Sequence, residues 1–200
     1  MSRHSQIREE KARLFNGIGV PEKKAFVVDK FQRDAIEYVT NGEDTLVVAP
    51  TGSGKTFIAV QAIDAVIFQG LRAVYTTPLK ALSNSKYSEL KARFEAQKKN
   101  VGLLTGDRKI EGDADVVVAT TEIYRNELYR SAELFSLIVL DEVHFIGDPQ
   151  RGPVWEESII LSPRSSTLLM LSASISNARE IAEWVEEVRG KPCRIVMETV

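Results

Sequence analysis

The chain has 200 residues, of which 44% are hydrophobic and 27% are charged, a composition typical of one globular domain and not of a disordered chain. Its 26 basic and 28 acidic side chains give a formal net charge of -2, so bulk charge does not indicate a nucleic-acid partner. One cysteine and two histidines exclude a disulfide scaffold and a multi-cysteine or histidine-rich metal cluster. Without a membrane-length apolar run or an apolar leader after Met1, we expect an intracellular, cytoplasmic monomer with no membrane partner.

The order of apolar runs along the chain predicts an α/β fold. Residues 1–25 are polar with weak periodicity and predict an N-terminal arm, followed by one domain over residues 26–200. Short apolar runs alternate with longer helical patterns, which predicts a doubly wound, mostly parallel sheet with helices on both faces. Ligands of such sheets bind beyond the carboxyl ends of the strands. The predicted strands are Thr45–Ala49, Ala73–Thr77, Val101–Leu104, Val116–Ala119, Leu137–Leu140, Leu168–Leu171 and Arg194–Val196, and the predicted helices include Gly54–Phe68, Leu79–Gln97 and Asn177–Arg189, the last with Ser176 as its N-cap.

A glycine-rich loop follows the first predicted strand. It contains Ala49, Pro50, Thr51, Gly52, Ser53, Gly54, Lys55 and Thr56, the phosphate-loop pattern with alanine in place of the usual first glycine. Such a loop surrounds an anion with backbone N–H groups at the start of a helix. We expect Lys55 to reach the β- and γ-phosphates of a nucleotide and the Thr56 hydroxyl to bind Mg²⁺. A turn that binds nothing is the disfavoured alternative.

Acidic residues follow the apolar run Leu137–Leu140. Carboxylates at the end of a buried strand are costly unless a cation or hydrogen bonds compensate them. We expect Asp141 to hold Mg²⁺ and Glu142 to orient and deprotonate the water that attacks the γ-phosphorus. For His144 we favour a coupling role beside the γ-phosphate, the alternative being a buried histidine satisfied by packing.

Several segments together resemble one family. Ala49–Thr56, 141–144 and Ser172-Ala173-Ser174 resemble motifs I, II and III of superfamily 2 helicases of the DExH kind. Residues 75–87, 102–107, 120–123, 151–157 and 176–178 extend the likeness to the superkiller-type branch, the exosome-associated RNA helicases. The likeness covers about residues 25–198 and departs at Ala49 (for glycine) and Ser174 (for threonine). It implies the first RecA-like P-loop motor domain of an ATP-driven helicase, with ATP and Mg²⁺ as cofactors and nucleic acid as partner, RNA being favoured over DNA.

The resemblance also implies roles for residues that spacing alone leaves open. Phe26 and Gln32 stand where the family binds adenine, the disfavoured alternative for Gln32 being a helix-surface glutamine. The hydroxyls of Ser172 and Ser174 would couple the acidic motif to the nucleic acid, where an ordinary helix start is the alternative. The implied contacts to the nucleic-acid backbone are Thr77, Pro78, Lys80, Thr105, Gly106, Asp107, Thr120 and Thr121.

The local charge pattern is consistent with these contacts. Residues 72–109 carry nine basic and three acidic side chains, a possible footprint for a polyanion or else a solvated helix face. Trp155 and Trp184 are expected to serve packing rather than base stacking.

Two other functional classes remain open from the residues. A small-molecule kinase would need an arginine-bearing lid, for which we find no pattern, and a non-hydrolysing nucleotide-dependent clamp would not need an intact Glu142. The family implies a second RecA-like domain that supplies arginines to the γ-phosphate. We therefore expect this chain alone to hydrolyse ATP very slowly and not to unwind duplexes.

Overall fold

A computed structural model describes residues 27–130, 135–173 and 175–198. The predicted N-terminal arm, Phe26 and Ser174 lie outside the described residues. The helices are α1 (Lys30–Thr40), α2 (Lys55–Phe68), α3 (Lys80–Glu95), α4 (Thr121–Arg130), α5 (Gly152–Leu161) and α6 (Ala178–Arg189), with a 3₁₀-helix at Val143–Gly147. The strands are β1 (Asp44–Val48), β2 (Ala73–Thr77), β3 (Val101–Thr105), β4 (Arg108–Ile110), β5 (Val116–Thr120), β6 (Leu137–Leu140), β7 (Thr167–Ser172) and β8 (Cys193–Met197).

The eight strands form one sheet in the order β4-β3-β5-β2-β6-β7-β1-β8. Every pairing is parallel except β3 with β4. The carboxyl ends of the parallel strands therefore lie along one edge of the sheet, to which they bring the phosphate loop after β1 and the acidic motif after β6. The predicted α/β fold class is confirmed.

Two apolar cores cover the two faces of the sheet, as a doubly wound fold requires. On one face, side chains of α1, α2 and α3 pack on the sheet, among them Ala35, Ile63 and Phe94. On the other face, α4, α5 and α6 pack on alternate strand residues, among them Trp155 and Val185. The central strands are buried on both faces, which explains why their sequences are continuous apolar runs.

Two details differ from the predictions, and both tryptophans pack in the core as expected. The short strand β4 was not predicted because two of its three residues, Arg108 and Lys109, are charged, and it pairs with β3 at the edge of the sheet. The N-cap of α6 is Asn177 rather than Ser176. Trp155 is 2% exposed, as expected of a core residue, whereas Trp184 is only partly buried against the same core.

A buried ion pair joins α6 to the amino ends of two strands. The guanidinium of Arg189 donates to Asp44 Oδ2 (2.5 Å) and to the main-chain carbonyls of Ser162 (2.9 Å) and Ser166 (2.8 Å). Asp44 Oδ1 accepts from the Leu168 N–H at 2.8 Å. Because both charged side chains are almost fully buried, these bonds replace the water that each would otherwise bind. Within the described part of the chain, no helix is long and apolar enough to cross a membrane.

Candidate nucleotide and nucleic-acid site

The phosphate loop lies between β1 and α2, where Gly54 is the N-cap of the helix. Gly54 has φ +89°, in the left-handed region, and a Cβ there would lie 2.3 Å from Gln32 Nε2, so only glycine fits. The Lys55 ammonium donates to the carbonyls of Ala49 (2.6 Å) and Pro50 (2.8 Å). One of its three N–H groups remains available for a phosphate.

Gln32 is buried beneath this loop and not on a helix surface. Its Nε2 donates to the Ser53 carbonyl (3.0 Å), and its Oε1 accepts from the Asp29 N–H (3.0 Å). The amide therefore ties α1 to the phosphate loop and retains one N–H and one acceptor lone pair. Its contact with adenine stays a prediction.

Asp141 is held in a defined orientation at the end of β6. Its Oδ2 accepts from the Tyr75 hydroxyl (2.8 Å) and its Oδ1 from the Glu142 N–H (2.9 Å). The indole of Trp155 donates to the Asp141 carbonyl (3.2 Å). Burial raises the pKa of Asp141, and the two carboxylate hydrogen bonds oppose that shift by favouring the charged form.

Glu142 has a backbone conformation that non-glycine residues rarely adopt. Its φ of +54° and ψ of 42° place it in the left-handed region, at a cost on the order of 1–2 kcal/mol. This conformation turns the chain from β6 into the 3₁₀-helix.

The Glu142 carboxylate is partly exposed, and its Oε2 lies 3.3 Å from His144 Nδ1. His144 also packs on the ring of Phe145, with ring centroids 4.6 Å apart.

The phosphate loop and the acidic motif line one open cleft of about 310 Å³. Its lining residues are Thr51, Gly52, Gly54, Lys55, Thr56, Asp141 and Glu142. The hydroxyl of Thr56 and the carboxylate of Asp141 are hard oxygen ligands of the kind that Mg²⁺ prefers. Mg²⁺ bound with a nucleotide needs only one or two such ligands, because phosphates and water complete its coordination. The cleft therefore fits ATP with Mg²⁺.

Strand β7 connects the third predicted motif to the phosphate loop. The Ala49 N–H donates to the carbonyl of Ser172 at 3.1 Å. The Ser172 hydroxyl is buried and has no hydrogen-bond partner among the described residues. A movement of Ser172 at the end of β7 would be transmitted to the phosphate loop through this main-chain hydrogen bond. The coupling role of Ser172 stays a prediction.

The predicted backbone-binding residues also lie at or just after the carboxyl ends of strands, but the hydroxyls of all four threonines among them are used internally. The Thr77 hydroxyl is 2.6 Å from that of Ser83, and Thr121 Oγ1 donates to the Thr77 carbonyl at 3.2 Å. Thr105 Oγ1 donates to Asp107 Oδ1 (3.1 Å), and Thr120 Oγ1 accepts from the Ile123 N–H (3.3 Å). These hydroxyls therefore brace the loops, and their predicted contacts with nucleic acid remain untested.

The exposed part of this region is the first turn of α3. Lys80 is half-exposed and pairs with Asp107 at 2.5 Å, a contact that lowers the pKa of the Asp107 carboxyl. Its N-cap is Leu79, an apolar residue that makes no side-chain cap bond, and Pro78 and Gly106 belong to the two loops that lead to and face this turn. The guanidinium of Arg108 donates a hydrogen bond to Asn84 Oδ1 on the same helix (3.3 Å).

Most cations of the predicted basic segment are paired with carboxylates. Five of its nine cations are ion-paired: Lys80, Lys86, Lys91, Arg93 and Lys99. Helix α3 has 16 residues and so separates its two ends by about 24 Å. The part of this segment that can contact nucleic acid at the carboxyl edge of the sheet is therefore the first turn of α3, together with Arg108.

Sequence reasoning missed Tyr75, Lys86 and Trp155 as neighbours of the acidic motif. Tyr75 and Trp155 carry apolar rings in buried positions, so no local pattern distinguishes them from core residues. The bond of Tyr75 to Asp141 arises from the order of strands in the sheet, and the bond of Trp155 arises from the packing of α5 against the sheet. Lys86 lay within the predicted helix among the other cations of the basic segment.

Comparison with known proteins identifies the family. The sequence model of the DEAD/DEAH box helicase family matches residues 29–181. The chain belongs to this family. The predicted membership is thereby confirmed.

Three relatives show the extent of the similarity. The helicase domain is 44% identical over 174 residues to the DExH-box ATP-dependent RNA helicase DExH9 of Arabidopsis thaliana, covering 86% of this chain and 17% of that protein. It is 47% identical over 178 residues to the probable helicase HelY of Mycobacterium leprae (86% and 19% covered). It is 43% identical over 174 residues to the exosome RNA helicase MTR4 of Homo sapiens (86% and 16% covered). The chain spans less than a fifth of the length of these relatives.

A solved structure supports the fold. The crystal structure of the DUF1998 helicase MrfA bound to DNA superimposes with a TM-score of 0.71 at 24% identity, covering 86% of this chain and 27% of that chain. At this identity the likeness concerns the fold alone.

Proposed function

We propose that the chain is the first RecA-like motor domain of an ATP-dependent nucleic-acid helicase that acts on RNA. The observation that carries the proposal is the single cleft formed by the phosphate loop and the acidic motif, beside the exposed first turn of α3 on the same edge of the sheet. Two of the relatives described above are named RNA helicases, which favours RNA over DNA.

The proposed roles follow from the contacts in the cleft. The loop N–H groups and Lys55 bind the β- and γ-phosphates, while Thr56 and Asp141 hold Mg²⁺, which would neutralise charge on the phosphates. Glu142 accepts a proton from the water that attacks the γ-phosphorus, and its exposed carboxylate can reach solvent in the cleft. We assign His144 a coupling role beside the γ-phosphate, because its Nδ1 lies 3.3 Å from Glu142 Oε2.

We also propose that rapid turnover needs a second RecA-like domain. Among the described residues, the lining of the cleft contains one lysine and no arginine. An arginine that stabilises the charge of the transition state is worth about 10³ to 10⁵ in rate in related phosphoryl transfers. A second domain is the source of such an arginine that the family resemblance implies.

Nucleic-acid binding at the start of α3 is tested by charge reversal. We expect Lys80→Glu to weaken binding of a single-stranded RNA oligonucleotide about tenfold at low salt and to lower the salt slope by about one, because a phosphate contact is lost. Fluorescence anisotropy over a salt series measures both quantities. Nucleotide affinity should not change.

Lys91→Glu is the matched control for this substitution. Lys91 lies on the same helix, is similarly exposed and is likewise paired with one carboxylate. Equal loss of RNA affinity in the two variants would show only a general charge effect, and unchanged affinity in Lys80→Glu would remove the first turn of α3 from the interface.

A further inference from the structure

Tyr75 is a fully buried tyrosine in the middle of β2, with its hydroxyl at the nucleotide site. The hydroxyl donates to Asp141 Oδ2 at 2.8 Å, a bond between residues 66 positions apart in the sequence. Burial raises the pKa of Tyr75 well above its usual range, so the group stays protonated and remains a donor.

The carboxylate of Asp141 is therefore held at both oxygens. Oδ2 is bound by the Tyr75 hydroxyl and Oδ1 by the Glu142 N–H at 2.9 Å. Each oxygen keeps a further lone pair, so these bonds leave room for a metal ion. Without the hydroxyl, one oxygen would lose its anchor and the carboxylate would be free to rotate.

The ring of Tyr75 is itself held by Lys86 from α3. The Lys86 ammonium lies 5.2 Å from the ring centroid and 3.4 Å from Thr56 Oγ1. Only 15% of the Lys86 side chain is exposed, although its carboxylate partner Glu89 is half-exposed. The lysine thus extends inward over the ring, where a cation–π contact is favourable.

We propose that Tyr75 is a positioning residue for the metal-dependent part of nucleotide binding, acting by fixing the Asp141 carboxylate. The proposal rests on the proposed function, in which Asp141 and Thr56 hold Mg²⁺. Neighbours that orient a metal-binding carboxylate typically change metal affinity 10- to 100-fold when they are removed. The hydroxyl also interacts with Thr56, the second proposed ligand of Mg²⁺, whereas the ammonium of Lys55 is held by the carbonyls of Ala49 and Pro50.

The test compares Tyr75→Phe with the unmodified chain, using a fluorescent non-hydrolysable ATP analogue with excess Mg²⁺ and with EDTA. The ratio of the two affinities is the gain that Mg²⁺ provides. We expect Tyr75→Phe to reduce this gain about tenfold and to leave the affinity in EDTA within about twofold. Binding of Mn²⁺ to the nucleotide complex, followed by electron paramagnetic resonance, should weaken in parallel.

Tyr124→Phe is the matched control. Tyr124 is also buried, and its hydroxyl bonds to Ser162 Oγ at 2.8 Å in the core on the other face of the sheet. The substitution Tyr124→Phe removes one buried hydroxyl bond that does not involve Asp141. The gain in nucleotide affinity from Mg²⁺ should therefore not change.

Three outcomes would overturn the proposal. An unchanged gain in Tyr75→Phe would show that the hydroxyl does not orient the ligand. A parallel fall of both affinities would mean that Tyr75 only supports the fold. If the unmodified chain itself gained nothing from Mg²⁺, the metal site of the proposed function would fail as well.

Discussion

Replacing Lys55 by alanine should weaken binding of ATP with Mg²⁺ to this chain about 100-fold. The Lys55 ammonium is held at the phosphate loop by two carbonyls and keeps one donor for the phosphates. A charge-assisted bond to phosphate in such a partly enclosed site is worth about 1.5 to 3 kcal/mol, and each 1.4 kcal/mol is a factor of ten in affinity. The expected loss lies near the upper end of that range, because Lys55 is the one cation in the described lining of the cleft.

Isothermal titration of the purified chain with ATP and Mg²⁺ measures this effect. The fold should survive, because the described bonds of the Lys55 ammonium are confined to its own loop. Lys30→Ala is the control, since that lysine is 81% exposed and its one ion pair among the described residues is with Asp34 on the surface of α1. Equal affinities of the Lys55→Ala variant and the unmodified chain would refute the assignment of this loop to the phosphates.

Replacing Arg189 by methionine should destabilise the fold by about 3 to 5 kcal/mol. The substitution leaves the carboxylate of Asp44 buried with one partner fewer, and removal of one member of a buried pair typically costs this much. The carbonyls of Ser162 and Ser166 also lose their donor from Arg189. For a domain of this size, the expected fall in Tm is on the order of 10 °C.

Urea unfolding followed by circular dichroism measures this loss of stability. Arg189→Lys should restore little of it, because one ammonium cannot replace a planar guanidinium with several fixed donors. Lys191→Met is the matched control: that lysine lies 3.1 Å from Asp44 Oδ1 but is partly exposed, so its loss should cost much less. A loss below about 1 kcal/mol for Arg189→Met would contradict the role given to the buried pair.

The sheet and the phosphate loop are predictable because their signals are local. The run of valines at 116–118 has the continuous apolar pattern of a strand buried on both faces, and these valines lie in β5. The loop pattern specifies backbone geometry through Gly54. This residue has a left-handed φ, and Gln32 leaves no room for a side chain there. Strand β4 has no such signal, because its three residues include two charged ones, Arg108 and Lys109, and so resemble a loop.

The surroundings of the acidic motif are not predictable from local patterns. Tyr75 meets Asp141 because β2 and β6 are neighbours in the sheet, a fact that belongs to strand order and not to spacing. The left-handed backbone of Glu142 and the bond of Trp155 to the Asp141 carbonyl depend in the same way on tertiary packing. Counting charges along the sequence likewise cannot show which cations are paired within the fold.

ATP turnover by the full-length protein, with matched RNA and DNA oligonucleotides, tests the central claim most directly. We expect RNA to stimulate hydrolysis more than DNA, Glu142→Gln to abolish turnover while ATP remains bound, and the present chain alone to turn over very slowly. A Glu142→Gln variant that hydrolysed ATP at the unmodified rate, or turnover indifferent to both nucleic acids, would contradict the account.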